Sequence, residues 1–421
     1  MSEPDVVVIG AGAGGLAAAW RLASRGVRVT VLEAGKHYLP LRDYPQTEDD
    51  FELHPFPYDP VRDEEGNPRY SFGSAQEIGA EWKGYRSWNR GQGRFVPGDR
   101  RSYQQYAHVQ GVGGSTLHFQ GEAHRFHPRS LRMRSLFGVA CDWPLAYDEL
   151  AHYYDLAETC MGVAAPKDNP FRPRKMPPVL PEHPLSWASR KLIPAFADVG
   201  ATLMPNSLAI LSRPYRGRPP CNLCDSCTNG CPLGDKGSAD VTFLPPALAT
   251  GRLDLKTETH ALALETGSDG KISGVVYQGP DGVEKRARAK WFIAAGGAIE
   301  TPRLLLASQS SRFPHGVGNG EGQVGRNFTE TLAWTSVALL PERVDSYRGL
   351  PVDGVAWNFA VPSSSKDGWV GGFRLSAAHG EEDLRGPVAY ATRLIEGFGP
   401  AHERRLREVF GHAVAVSGMG D

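Results

Sequence analysis

Between residues 6 and 33 the sequence carries one pattern that leaves few architectures open. Val6-Val7-Val8-Ile9 is a β-branched run of the kind that fills a buried parallel strand. Gly10-Ala11-Gly12-Ala13-Gly14-Gly15 follows, and then the helix-forming stretch Leu16-Ala17-Ala18-Ala19-Trp20-Arg21-Leu22-Ala23. Gly26 is placed to end that helix in a left-handed conformation. Residues 27–33 alternate with period two and read as a second strand ending at Glu33. Gly10, Gly12 and Gly15 have the GxGxxG spacing. The first glycine allows a tight turn, the second admits a pyrophosphate to the backbone, and the third lets helix and strand pack closely. The helix N-terminus offers unbonded N–H groups and a positive dipole end to phosphates. Glu33 stands 23 positions after Gly10, where a carboxylate can accept both hydroxyls of a ribose. Gly14 and Ala34 complete this candidate dinucleotide site. A ribose-binding Glu argues against NADP, whose 2′-phosphate it would repel, but the pattern does not separate FAD from NAD.

The rest of the composition narrows the function class. The chain has 421 residues, enough for two or three domains, with 41% hydrophobic and 22% charged residues, which excludes a wholly disordered chain. Its 49 Gly and 33 Pro follow no G-X-Y period and predict many loops and close backbone approaches. A net charge of -1 gives no sign of a nucleic-acid partner. The longest uncharged apolar run, residues 6–20, is too short to span a bilayer and lacks a basic leader before it, so the expected location is the cytoplasm.

Four of the six cysteines then need an explanation, since structural disulfides are rare there. Cys221, Cys224, Cys227 and Cys231 fall within eleven residues as C-x2-C-x2-C-x3-C, followed by Pro232. Bacterial ferredoxins use this run for iron–sulfur clusters, because short spacings wrap a loop so that thiolates converge. Zinc is the alternative, although structural zinc usually takes two separated pairs; four thiols with no metal are the third reading. Cys141 and Cys160 stand alone and read as buried small hydrophobes.

Gly111-Val112-Gly113-Gly114-Ser115-Thr116-Leu117-His118-Phe119-Gln120-Gly121 is a second backbone-dense loop. Two such loops suit one long ligand held at both ends, or the second is a structural turn. Lys290–Ala298 reads as a short buried strand ending in glycines (Gly296, Gly297), and Pro302 suits the first turn of a following helix. Residues 10–33, 111–121, Trp143-Pro144-Leu145-Ala146-Tyr147-Asp148-Glu149-Leu150, 297–307 and Val324-Gly325-Arg326-Asn327 resemble, in order, the motifs of the glucose–methanol–choline (GMC) oxidoreductase family. The stretch from Gly297 departs at its end, with Gln309-Ser310 where Ser-Gly is usual. The Gly-Gly-x-x-x-His loop and the cysteines place the resemblance nearest the bacterial FAD-dependent sugar and gluconate dehydrogenases.

The resemblance implies FAD, hydride transfer from a substrate CH–OH carbon to the flavin, and an α/β fold with an α+β substrate domain. That fold would be a Rossmann-like FAD-binding domain (1–145 and 236–318) with a discontinuous antiparallel-sheet substrate domain (146–235 and 319–421). By analogy Glu33 holds the adenosine ribose, and Gly113, Gly114 and Ser115 lie along the pyrophosphate and flavin. A strand over 254–261 touches adenine near His260 and Ala261, and Gly296 completes the cofactor set. In some members a His of the second loop is covalently bonded to the flavin. His118 either does this or meets the flavin without a bond. The branch includes members with a [3Fe–4S] cluster, so the four cysteines are read as a [3Fe–4S] or [4Fe–4S] site. It would pass electrons singly to a cytochrome, a quinone or another carrier, which makes a dehydrogenase the expected activity.

The remaining organisation is sparser. Residues 47–70 read as a solvated acidic excursion, and the seven prolines between 166 and 184 as a stiff extended connector. Alternation at 252–257, 272–277 and 285–291 predicts a small antiparallel meander, and 323–421 is expected to supply substrate-domain strands. The family's catalytic His pair, a general base and its partner, is expected beyond Asp421. The expectation is therefore a truncated chain with no catalytic residue assigned, His412 included. Two rivals stand beside the alcohol or sugar dehydrogenase. An NAD(P)-linked flavin reductase needs a second GxGxxG fold, and the sequence has none. A non-catalytic FAD- or cluster-binding relay subunit is the other. Export with a signal-bearing partner is also open.

Overall fold

The computed structural model describes residues 3–40, 42–43, 107–225, 227–364, 368, 370–379, 384, 390–391 and 394–420, with the backbone of 61–62, 68–69 and 87–88. The expected excursion at 47–70 lies outside the described residues, apart from those short backbone pieces. The chain divides into two units. One comprises Met1–Tyr44, Ile78–Phe119 and Ser238–Thr329, the other Pro45–Glu77, Gln120–Gly237 and Glu330–Asp421.

The first unit is built on a four-stranded parallel sheet. Its order is Leu253–Lys256, Val29–Leu32, Val6–Ile9, Trp291–Ala294. Val7 faces Thr30 on one side and Phe292 on the other. The central strand is buried on both faces, which is why it is an unbroken β-branched run. In sequence order the strands stand 3-2-1-4, the doubly-wound order, so the crevice opens at the carboxyl ends of the first and fourth. The helix Ala13–Ala23 lays Leu16, Ala19 and Ala23 inward. Gly26 (φ +84°) closes it by donating its N–H to the Ala23 carbonyl at 3.0 Å.

A three-stranded antiparallel meander, His260–Thr266, Ile272–Gln278 and Glu284–Ala287, packs on this sheet. Leu264 and Val275 meet Val7, Ile9 and Leu32 in one apolar cluster. The sequence reading needs three corrections here. The 252–257 segment does not belong to the meander, because Leu253 and Leu255 pair in parallel with Val29 and Val31. The expected strand over 254–261 is broken at Glu258 (φ +51°), so His260 opens a new strand. The strand at 291–294 is a half-exposed edge, with Trp291 71% exposed. Pro302 also lies inside the helix Gly297–Ala307, one turn later than its expected place.

The second unit is a five-stranded antiparallel sheet. Its order is Ala333–Leu339, Ala413–Gly420, Phe373–Ala377, Gly354–Ala356, Met204–Pro205. The helix Trp187–Asp198 buries Ala188, Leu192 and Phe196 against Ala356, Ala377 and Val414. Its N-cap, Ser186, accepts the Ser189 N–H at 3.1 Å. The architecture is thus α/β, a Rossmann-like unit and an antiparallel α+β unit, both discontinuous in sequence.

The expected boundaries differ from these units. Residues 120–145 fall in the second unit, because Glu122 bridges Leu208 and Arg125 pairs with Glu158. Residues 319–329 fall in the first, where Val324 N–H donates to Asn319 at 3.0 Å and Gly325 abuts Leu306. Among the described residues no helix is long and apolar enough to cross a membrane.

Candidate functional site

At the carboxyl ends of the parallel strands the first unit encloses a cavity of about 390 Å³. Gly10, Gly12, Gly14, Glu33, Ala34, Gly114, Ser115, His260, Ala261 and Gly296 all line it. Gly15 and Gly113 lie behind this lining and His118 outside it.

The glycines divide into two kinds. Gly10 (φ +103°) must be glycine, since an added Cβ would stand 2.6 Å from the Ala295 carbonyl oxygen. A Cβ on Gly15 would strike the Gly10 carbonyl, so that glycine sets the helix–strand distance. Gly12 and Gly14 differ: a Cβ on Gly12 would reach only the Gly114 Cα at 4.0 Å, and one on Gly14 nothing. These two present bare backbone to the cavity. The first hydrogen bond of the helix runs from Leu16 N to Gly12 O at 2.9 Å, leaving the amides of residues 13–15 outside the helical ladder. No acidic residue stands in that first turn. Such an end suits an anionic pyrophosphate.

The second glycine loop is bonded to the first. Gly113 N donates to Ala11 O at 2.8 Å, and Val112 N to Lys36 O at 2.9 Å. Gly114 (φ +55°) comes so near that its Cβ would lie 2.8 Å from the Gly12 Cα. Thr116 Oγ1 donates to Gly113 O at 2.5 Å and accepts from Ala239 N at 3.0 Å, which fixes the turn. His118 caps the short 3-10 helix Gly114–Leu117, its amide donating to Ser115 O at 3.1 Å.

Glu33 is 6% exposed and accepts from Ala11 N at 2.8 Å and Gly35 N at 2.9 Å. Burial pushes its carboxyl above the ordinary range, and the Ala11 and Gly35 amides act against that rise. The chain beyond bends to reach the same place: Thr259 N donates to Glu33 O at 2.8 Å, which delivers His260 and Ala261 to the cavity wall. A cradle of side-chain-free backbone, a dipole end and a buried acid fits FAD or NAD equally well at the adenosine and pyrophosphate end.

Sequence reasoning missed several residues of this wall. Gly35 carries no motif, yet a Cβ there would overlap the backbone of Gln110. Val109, Gln110 and Thr259 line the cavity from loops without a pattern. Glu300 and Arg303 form an ion pair at 2.5 Å one helical turn apart, the single signal legible beforehand.

The cysteine loop lies in the second unit. Cys227 and Cys231 are buried, Cys221 is half-buried and Cys224 is exposed. Burial pushes the Cys231 thiol up to about 12, with Asp235 adding to the rise, and burial raises Cys221 and Cys227 as well. Cys231 Sγ donates to Asp235 Oδ1 at 2.9 Å. Protonated thiols are not ligands, and among the described residues no three His, Cys, Asp or Glu side chains are grouped to hold a metal. The loop in this conformation does not fit a cluster. Of the lone cysteines, Cys160 is buried as expected and Cys141 is exposed, because residues 138–145 run along the surface.

A GMC oxidoreductase family model matches residues 209–333, and an NAD(P)-binding Rossmann-like model matches residues 8–51. The fructose dehydrogenase large subunit of Gluconobacter japonicus is 31% identical over 333 residues, 77% of this chain and 58% of that protein. The 2-methyl-1,2-propanediol dehydrogenase of Mycolicibacterium austroafricanum is 26% identical over all of this chain and 72% of its own length. Paromamine 6'-oxidase of Streptomyces fradiae is 30% identical, over 78% of this chain and 54% of that protein. This chain thus spans little more than half of two of these relatives. Pyridoxine 4-oxidase of Mesorbium loti has a similar fold, with a TM-score of 0.57 at 17% identity over 99% of this chain and 71% of that one. The interlocked glycine loops, the motif order and these likenesses agree, and the chain belongs to the GMC oxidoreductases.

Proposed function

We propose that the first unit binds FAD and that the chain serves an oxidoreductase acting on a CH–OH group of a sugar, polyol or other alcohol. One observation carries this reading: the two glycine loops are hydrogen-bonded into a single bare-backbone cradle, with the buried Glu33 at one end. Two relatives are named for a sugar and a diol. Bound flavin accepts a hydride equivalent from the alcohol carbon. The chain's own residues would do the holding. Glu33 accepts the ribose hydroxyls, the amides at 13–15 meet the pyrophosphate, Gly114 and Ser115 continue along it, and His260 and Ala261 border the adenine. His118 is proposed as the tether, covalent or by contact, and the second unit as the substrate side.

The test is anaerobic titration of FAD-loaded protein with a panel of sugars and polyols, read at the flavin absorption band. Bleaching supports the dehydrogenase. No bleaching with FAD firmly bound supports the relay subunit. Acid precipitation tests the tether: flavin that stays with wild-type protein and is released from His118→Ala marks a covalent bond.

We further propose electron exit through an iron–sulfur cluster at Cys221, Cys224, Cys227 and Cys231, toward a protein or quinone acceptor in the cytoplasm or a membrane-bound complex. Only the ferredoxin-like spacing favours it, and the loop would have to rearrange. Iron and sulfide analysis of anaerobically purified protein decides it, and stoichiometric zinc instead would overturn it.

A further inference from the structure

The second unit holds a small internal cavity far in chemistry from the flavin reading and independent of it. Its volume is about 10 Å³, room for one water-sized sphere. Arg125, Arg172, Arg174, His124, Asn169 and Trp357 contribute to its wall, and no carboxylate does.

The arginines are already partly used. Arg125, its side chain 3% exposed, gives Nε and Nη2 to Glu158 at 2.7 Å each and Nη2 also to Asp155 at 2.6 Å. Its Nη1 has no acceptor among the described residues. Arg174 gives Nη2 to Glu158 at 3.2 Å, and its buried Nη1 likewise has no acceptor among them. Arg172 lies over the Trp357 ring at 4.1 Å and gives Nη1 to the Phe171 carbonyl at 3.2 Å. Three guanidinium charges therefore face two carboxylates, Glu158 and Asp155, and one positive charge is left over. The neighbouring Arg374 and Glu122 pair at 2.5 Å and cancel. Burial keeps His124 below its ordinary pKa, so it adds no charge, and burial with the Arg125 charge pulls Arg174 down.

We infer that this cavity is a site for one small monovalent inorganic anion, of about the size of chloride, held by the Nη1 groups of Arg125 and Arg174. A buried surplus cation with unmet donors is costly, and an anion there supplies both the acceptor and the opposite charge. Water would supply the acceptor alone. The volume excludes phosphate, sulfate and carboxylate ligands.

The experiment uses the full chain and bromide as probe. Crystals grown in sodium bromide are expected to show an anomalous peak between Arg125 and Arg174. Thermal unfolding in sodium chloride and sodium gluconate at equal ionic strength is expected to differ by several degrees in favour of chloride. Asn169→Asp places a carboxylate on the wall and keeps the Oδ1 that accepts Phe171 N–H at 3.0 Å. It is expected to fold, lose the bromide peak and lose the difference between the two salts. Arg174→Gln should lose both as well. Absence of the anomalous peak in wild-type crystals overturns the inference, and so does a peak or salt difference that persists in Asn169→Asp.

Discussion

The Glu33 carboxylate accepts the backbone N–H of Ala11 across a gap of 22 residues, at 2.8 Å. One side chain thus ties the end of the second strand to the loop after the first. Its other oxygen accepts Gly35 N–H at 2.9 Å. The acid proposed to hold the ribose is also a brace for the cradle.

That double role sets the first prediction. Glu33→Ala leaves two buried amides without acceptors and is expected to cost about 2–4 kcal/mol of stability, read by urea unfolding without cofactor. The pH trend follows from the raised carboxyl of Glu33, whose unfolded value is 4.5. The folded state holds that proton more tightly, so this group's contribution falls as pH rises from 4.5 through the folded value. Glu33→Gln should flatten that part of the profile. An unchanged profile would mean that the amides outweigh burial.

Gly10 and Gly12 are expected to fail for different reasons. Gly10→Ala forces a Cβ against the Ala295 carbonyl at a positive φ, so it should lower stability by more than 1–3 kcal/mol, or prevent folding. Gly12→Ala meets nothing but open cavity. It should leave the melting temperature of the cofactor-free protein almost unchanged while weakening FAD binding at least tenfold, measured by flavin fluorescence. Equal FAD affinity in Gly12→Ala would place the pyrophosphate elsewhere.

In the second unit Ser189, Asp353 and His379 form a fully buried chain. Ser189 Oγ donates to Asp353 Oδ1 at 2.5 Å and lies 3.2 Å from His379 Nε2, while His379 Nδ1 accepts Ala415 N–H at 3.2 Å. The chain closes only with neutral imidazole, and burial holds the His379 pKa below 6.5. The unfolded state therefore binds more protons just below that value. Stability from this group is complete above pH 6.5 and lost as pH falls toward the folded value, about 1.4 kcal/mol per unit of depression. Denaturation series at pH 5 to 8 should show a shallower slope for His379→Gln.

Thiol reactivity offers a fourth check. Cys141 and Cys224 are exposed, and Cys160, Cys227 and Cys231 are buried, with Cys231 pushed up to about 12. At pH 8 the native protein should be alkylated quickly at Cys141 and Cys224, as read by peptide mapping, and at the buried three only on unfolding. Protection of Cys224 in anaerobically purified protein would signal a bound metal.

How much of this was legible beforehand follows from sequence distance. The stretch from Val6 to Glu33 was readable because each of its constraints is local: strand, turn, helix and acid lie within 28 residues. The strand at 291–294 was readable as a strand but not as an edge, since its exposure depends on having one neighbour and not two. The cysteine spacing was equally visible, but spacing does not decide which thiols are buried, and burial sets their protonation.

By itself the sequence determined the dinucleotide-binding unit, the family and the two glycine loops, because GxGxxG geometry and strand periodicity are short-range chemistry. Tertiary structure alone decided that Gly113 bonds Ala11, that Gly35 leaves room for Gln110, that Glu33 braces the loop it was expected only to face, and that three arginines converge on one small void. Those facts join residues tens to hundreds of positions apart. Close packing selects such contacts only after the whole chain has folded, so no local pattern encodes them.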